Sequence, residues 1–83
     1  NKLVIAPNPA NDETNVFFSM SIGANGTLEV MNALGQVLQS QAVYAAENIN
    51  KVSVDISSLS EGMYYVVLRS GNNKMMEKLV VTH

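Results

Sequence analysis

The side chains that could perform chemistry are few in this sequence, and their spacing supports no known reaction. The one histidine is His83, the final residue, whereas a Ser-His-Asp triad needs a histidine oriented by its surroundings. Asp12 and Glu13 are the only adjacent carboxylates, and they lack the Asp-x-Asp-x-Asp spacing of a calcium loop. The absence of cysteine excludes thiolate metal sites and thiol nucleophiles. The sequence therefore predicts no enzyme, no metal site and no cofactor.

Aromatic side chains suggest one binding function, the recognition of a sugar. Small β-sandwich modules that bind carbohydrate usually present exposed rings as a platform, and this chain has no tryptophan. Alternation along the strands is expected to bury Phe18 and Tyr64, which leaves Phe17, Tyr44 and Tyr65 for such a platform. A carbohydrate-binding or adhesive module appended to a secreted enzyme is therefore the alternative function.

Length and composition restrict the other classes. A chain of 83 residues gives room for a single domain, residues 1–83. Its hydrophobic content of 47% and charged content of 14% favour a folded core over disorder. The five basic residues are scattered and the net charge is −2, so nucleic acid is not an expected partner. No apolar run approaches the roughly 20 residues of a membrane-spanning helix.

The elements that must position these side chains are strands. Residues 51–56 alternate polar and apolar, with Val52, Val54 and Ile56 on one face. The same period of two recurs in residues 14–22 and 27–32, whereas residues 63–70 form a denser apolar run typical of a central strand. We expect seven strands, near residues 2–6, 14–22, 27–32, 36–43, 49–56, 63–70 and 75–82. Many short strands with regular turns predict an antiparallel β-sandwich.

Turn residues divide the strands. Asn25-Gly26 lies between two alternating segments, which predicts a type I′ hairpin turn in preference to the glycosylation acceptor that Asn25-Gly26-Thr27 also matches. A second hairpin turn is expected around Gly71, and residues 34–36 predict a tighter break. Residues 7–9 are expected to end the first strand, because Pro7 and Pro9 cannot donate to a ladder.

A series of short motifs resembles one known family. Pro7-Asn8-Pro9 follows an apolar strand, Leu34-Gly35-Gln36 comes next, and Val54 to Leu59, Gly62-Met63-Tyr64 and Lys78-Leu79-Val80-Val81 complete the order. Each motif is weak alone, but their order and spacing resemble the type A C-terminal sorting domain of type IX secretion in Bacteroidetes-type bacteria. The resemblance covers essentially the whole chain. Ala6 departs from it, because the family often has an aromatic residue there.

The resemblance implies a fold and a function. The fold is an immunoglobulin-like sandwich of about seven strands, and the function is that of a non-enzymatic signal at the C-terminus of a secreted cargo. The implied partners are the cargo domain on the N-terminal side, the type IX outer-membrane translocon, and a sortase-like peptidase that anchors the cargo. The implied location is outside the outer membrane, in the medium or on the cell surface.

The motif residues divide into two predicted groups. A structural role is expected for Pro7, Asn8, Pro9, Leu34, Gly35, Gln36, Leu59, Gly62 and Tyr64, with the Tyr64 ring buried and its hydroxyl bound to a loop. Recognition by the translocon is expected for Lys78, Leu79, Val80 and Val81. We expect this last strand to be short, held by few contacts, and able to present an edge to the translocon or to a second copy in a strand-mediated homodimer.

Overall fold

Residues 2–83 are described by a computed structural model, and they form seven β-strands and no helix. This confirms the predicted all-β class and the number of strands. The strand bounds agree with the predicted ones to within about three residues. The strands are β1 Lys2–Ala6, β2 Glu13–Ser19, β3 Asn25–Asn32, β4 Val37–Tyr44, β5 Asn50–Asp55, β6 Gly62–Ser70 and β7 Asn73–Val81.

Two antiparallel sheets enclose the core. The three-stranded sheet has the order β1-β2-β5, and the four-stranded sheet has the order β4-β3-β6-β7. In the immunoglobulin constant-type sandwich the fourth strand lies beside the fifth, whereas here β4 pairs with β3. The chain is therefore an immunoglobulin-like sandwich in which the fourth strand belongs to the larger sheet.

The core is built from the alternating positions that the sequence indicates. The three-stranded sheet contributes Leu3, Ile5, Val16, Phe18 and Val54, and the four-stranded sheet contributes Leu28, Val30, Tyr64, Val66, Leu68, Leu79 and Val81. Residues of opposite parity face outward, because successive side chains of a strand point to opposite sides of the sheet. Phe18 and Tyr64 are buried, as predicted. On the last strand, Leu79 and Val81 lie in the core and Met76 is exposed.

The predicted hairpin turn at Asn25-Gly26 is wrong. Both residues lie inside β3, opposite Tyr44 and Val43 of β4, and β2 and β3 belong to different sheets. Gly26 serves a different purpose, because a Cβ atom built on it would lie 2.9 Å from the carbonyl oxygen of Arg69 in β6. The glycine therefore permits two strands to approach closely, which is the second common reason for a glycine inside a strand.

The other predicted turns are present. Gly71 and Asn72 join β6 to β7 as a two-residue hairpin, with Ser70 paired to Asn73. The break at residues 34–36 joins β3 to β4, where Gly35 has a φ of +85°, a conformation that glycine adopts without strain. Within residues 2–83 there is no helix long and apolar enough to cross a membrane.

Candidate functional site

The motif segments, which are far apart in the sequence, meet at one end of the sandwich. Strand pairing places the end of β3 beside the start of β6, since Asn32 pairs with Tyr64. It also places the start of β6 beside the end of β7, since Gly62 pairs with Val81. The start of β2 lies beside the end of β5 in the other sheet. Residues 7–10, 32–36, 55–64 and 78–83 therefore surround one end, which we call the motif end.

Residues 7–10 cover the outer edge of β7, and we call them the edge cover. The side-chain amide of Asn8 makes the two hydrogen bonds that a peptide group of a neighbouring strand would make. Its Nδ2–H donates to Lys78 O at 2.8 Å, and its Oδ1 accepts from Val80 N at 3.0 Å. Ala10 continues this pairing, because Ala10 N donates to Val80 O at 2.9 Å and Thr82 N donates to Ala10 O at 2.8 Å. The polar backbone groups of β7 between Lys78 and Thr82 are thus satisfied on both sides.

The residue types of the edge cover follow from this geometry. Pro7 and Pro9 have no N–H, so the backbone of this segment cannot supply a regular ladder. The amide of Asn8 carries both a donor and an acceptor, and it therefore replaces a missing peptide group. The carbonyl oxygen of Pro7 accepts a hydrogen bond of 2.6 Å from the Thr14 hydroxyl, which fastens the segment to β2.

The terminal strand is longer and more firmly held than its sequence suggests. β7 has nine residues, all paired with β6, so the expectation of a short strand held by few contacts is wrong. Leu79 is 0% exposed and Val81 is 1% exposed. Of the four residues predicted to meet the translocon, only Lys78 and the partly buried Val80 have accessible side chains.

Tyr64 forms the predicted tyrosine corner. Its ring belongs to the core, and its hydroxyl donates a hydrogen bond of 2.7 Å to the carbonyl oxygen of Ser60 in the loop before β6. This is the arrangement found at the start of the sixth strand in immunoglobulin-like sandwiches. Gly62 lies between the two residues with a φ of +155°, where a larger side chain would be strained.

The loop before β6 is ordered by short hydrogen bonds at both ends. Asp55 Oδ1 accepts from the backbone N–H and the hydroxyl of Ser57, at 2.9 and 2.7 Å. These two bonds, the hydroxyl bond first, stabilise the carboxylate and hold the pKa of Asp55 below its ordinary value. Leu59 packs against the core, and its carbonyl oxygen lies 2.6 Å from Nε2 of His83. His83 thus ties the end of the chain to this loop.

The turn at residues 32–36 presents an apolar side chain to solvent. Asn32 Oδ1 accepts from the backbone N–H groups of Leu34 and Gln36, both at 3.0 Å, and Asn32 Nδ2 donates to Gln36 Oε1 at 2.7 Å. Leu34 itself is 86% exposed, so its side chain contributes little to the core. Asn32 belongs to none of the sequence motifs named above, although asparagine is a residue typical of turns.

An apolar surface lies on the outer face of the four-stranded sheet, next to Lys78. Lys78 pairs with Tyr65, and its neighbours on the same face of β7 are Met76 and Val80. Val67 is 0% exposed although it points outward, so neighbouring side chains on this face must cover it. We call this surface the outer patch, and the side chains that form it around the buried Val67 are Met31, Met63, Tyr65, Met76 and Val80.

Charge on the outer face is concentrated in β7. In residues 2–83 the one salt bridge joins Arg69 to Glu29 at 2.9 Å, which compensates the charge of Arg69. Lys74 and Lys78 are exposed on the same face of β7, and neither has a carboxylate within 4 Å among the described residues. Lys78 is therefore an uncompensated cation at the border of an apolar surface.

The three aromatic rings predicted as a possible sugar-binding platform, Phe17, Tyr44 and Tyr65, do not lie close together. Phe17 lies on the outer face of the three-stranded sheet, whereas Tyr65 lies on the outer face of the other sheet. Tyr44 shares a sheet with Tyr65, but their partners on β3 are Asn25 and Met31, which are about 20 Å apart along a strand. No observation therefore favours a sugar-binding platform. In the part of the chain that the structure describes, no three His, Cys, Asp or Glu side chains gather around a possible metal ion.

The fold and the motif end together define a class of protein, a β-sandwich module whose distinctive residues surround one end. The sequence of residues 4–82 matches the family of the secretion system C-terminal sorting domain. Because the match spans nearly the whole chain, the chain belongs to this family, the C-terminal sorting domain of type IX secretion. Its members are sorting signals rather than catalysts. No curated protein matches the chain in sequence.

Proposed function

We propose that residues 1–83 are one non-enzymatic domain that directs a cargo on its N-terminal side through the type IX outer-membrane translocon. The observation that carries the proposal is the family match over residues 4–82. A sortase-like peptidase then removes the domain and anchors the cargo at the cell surface. The location of the cargo after export is therefore outside the outer membrane.

The architecture supports the proposal because it separates folding from recognition. The core buries Tyr64, Leu79 and Val81. The side chain of Asn8 is fully engaged in its two hydrogen bonds to β7. The side chain of Lys78 has no comparable structural role, since it is exposed and forms no salt bridge within residues 2–83. A fold that leaves a lysine beside exposed methionine side chains and a partly exposed tyrosine offers a receptor one charge and an adaptable apolar contact.

We propose that the translocon contacts Lys78 and the adjoining outer patch. Leu79 and Val81 then act indirectly, because their burial fixes which face of β7 is presented. Val80 is the one further member of the predicted recognition group that can contribute directly, through its outward and partly accessible side chain. Leu34 is a second exposed apolar residue at the motif end, and its rigid turn suits a contact at the border of the same interface.

The test is an export assay with a matched pair of variants. Residues 1–83 are fused to the C-terminus of a periplasmic reporter in a type IX-competent bacterium, and reporter activity is measured in the periplasm and outside the cell. We expect the wild-type fusion to leave the periplasm. Lys78→Glu should reduce export at least about tenfold, whereas Lys74→Glu on the same face of β7 should export normally.

Thermal melting of the purified variants completes the test. Both substitutions are at exposed positions, so both should change stability by no more than about 0.5 kcal/mol. Retention of the wild-type fusion in the periplasm would refute the sorting function. Normal export of Lys78→Glu would refute the role of Lys78 and leave the family assignment in place.

A further inference from the structure

The outer edge of β4 is exposed, and beyond a bulge near its start it carries none of the usual protection against strand pairing among the described residues. Natural proteins protect such edges with charged side chains, proline, or a covering segment. Val37–Tyr44 contains no charged residue and no proline. Among the described residues β4 pairs with β3 alone, and its one further hydrogen bond runs from Gln39 Nε2 to Asp55 O. This side-chain bond leaves the outer backbone groups free.

The direction of the backbone groups identifies which residues present the free edge. Ala45 N donates to Ala24 O at 2.9 Å, on the β3 side of the chain. Donors alternate along an antiparallel strand, so the N–H groups of Ser40, Ala42 and Tyr44 point away from β3. None of these three has a hydrogen-bond partner among residues 2–83. Their side chains point to the outer face of the sheet, opposite Glu29, Thr27 and Asn25.

Space for another strand is present beside this edge. An open groove of about 510 Å³ borders the second half of β4, lined by Ala42, Tyr44, Phe18, Ile49 and Lys51 among others. At the other end of β4, Leu38 is exposed and is the extra residue of the bulge, since Val30 pairs with Gln39 and Met31 pairs with Val37. Leu38 and Tyr44 are thus two large apolar side chains left in solvent at opposite ends of one edge.

We propose that β4 is a self-pairing surface, through which two copies of this chain associate in antiparallel orientation about a two-fold axis. A strand without charge is complementary to itself, because no like charges are brought together. The register that pairs Ser40 with Ala42 of the partner subunit uses the outward groups of both. It also places Leu38 opposite Tyr44 of the partner subunit, which covers both exposed side chains.

The result is a continuous eight-stranded sheet across two sandwiches. A single pair of eight-residue strands buries less surface than a standard stable interface, so the dimer is weak and concentration-dependent. It differs from a dimer formed through the terminal strand, because the edge cover occupies β7 from Lys78 to Thr82. The inference is independent of the proposed function.

Analytical ultracentrifugation of residues 1–83 at increasing concentration tests the proposal. We expect a reversible monomer–dimer equilibrium. Ser40→Lys places two lysines near each other across the two-fold axis, and Ala42→Pro removes one outward N–H without removing a bond to β3. Each should raise the dissociation constant at least about tenfold. Met76→Lys is the matched control, since Met76 is exposed on the opposite edge strand of the same sheet and should leave the constant unchanged.

Hydrogen exchange gives a second measurement that does not depend on a substitution. The amides of Ala42 and Tyr44 should become protected as concentration rises, and the amide of Met76 should not. A monomer at all concentrations would overturn the proposal, as would a dimer that both β4 variants leave intact. Dissociation by Met76→Lys alone would assign the interface to β7 instead. If Ala42→Pro does not fold, Ser40→Lys and the exchange of wild-type amides still decide the question.

Discussion

The two edge strands of the four-stranded sheet, β7 and β4, differ in how their outer edges are protected. β7 carries Lys74 and Lys78, and the edge cover binds half of its outer edge. β4 carries no charge, and its outer N–H groups are unbound within residues 2–83. The protected edge is the one that contains the core residues Leu79 and Val81, whereas the side chains of β4 are mostly exposed. The additional hydrogen bonds are thus found at the edge strand whose loss would expose the core.

The largest contrast should come from two tyrosines, one on each side of the sheet. Tyr64 is 8% exposed and Tyr44 is 56% exposed. Tyr64→Ala should destabilise the fold by about 3–5 kcal/mol, because it removes a buried aromatic ring. Tyr44→Ala should cost no more than about 0.5 kcal/mol in the monomer. Urea unfolding at low protein concentration measures both, and equal midpoints for the two variants would contradict the difference in burial between the two rings.

A smaller effect is expected from the amide that binds β7. Asn8→Ala removes two hydrogen bonds to β7, and each is worth about 0.5–1.5 kcal/mol. Because Asn8 is exposed, we expect a loss of about 1–2 kcal/mol and faster hydrogen exchange at the Val80 amide. Gln39→Ala is the matched control, since it removes one side-chain bond from β4. A Val80 amide that exchanges at the wild-type rate in Asn8→Ala would show that water replaces the edge cover without loss.

The smallest effect is a dependence on pH at the end of β5. The pKa of Asp55 is lowered in the fold by its bonds to Ser57, so the carboxylate stabilises the fold at pH values above its unfolded pKa. That contribution is lost as the pH falls through the lower folded pKa. Asp55→Asn should therefore melt slightly below wild type at neutral pH, and the two curves should converge in acid below pH 3.8. A gap that persists unchanged in acid would exclude the carboxylate as its cause.

Local patterns predicted the strands, because each depends on its own alternation. Val52 and Val54 indicated β5 and its inner face without reference to any other strand. Tyr64 could be identified as a corner residue because its ring and its loop are close in sequence.

Contacts between distant segments were not predictable in this way. The prediction of a turn at Gly26 was wrong because the reason for this glycine lies in a distant segment. A side chain at this position would collide with the carbonyl oxygen of Arg69 in β6, forty-three positions away in the sequence. The burial of Leu79 and the pairing of Asn8 with β7 depend on which strands become neighbours. A single sequence contains no local signal for that choice. The recognition role of Lys78 remains a prediction for the same reason, since it depends on a partner outside the chain.

The hydrogen bonds of Asn8 join residues separated by 70 and 72 positions along the chain. Closing so long a loop is entropically expensive, and folds dominated by such distant pairings form slowly. A chain that is synthesised or transported from its N-terminal end can complete this sandwich only when its last residues have arrived. Until then the edge cover has no β7 to bind. The edge cover therefore forms only in a chain that already contains β7.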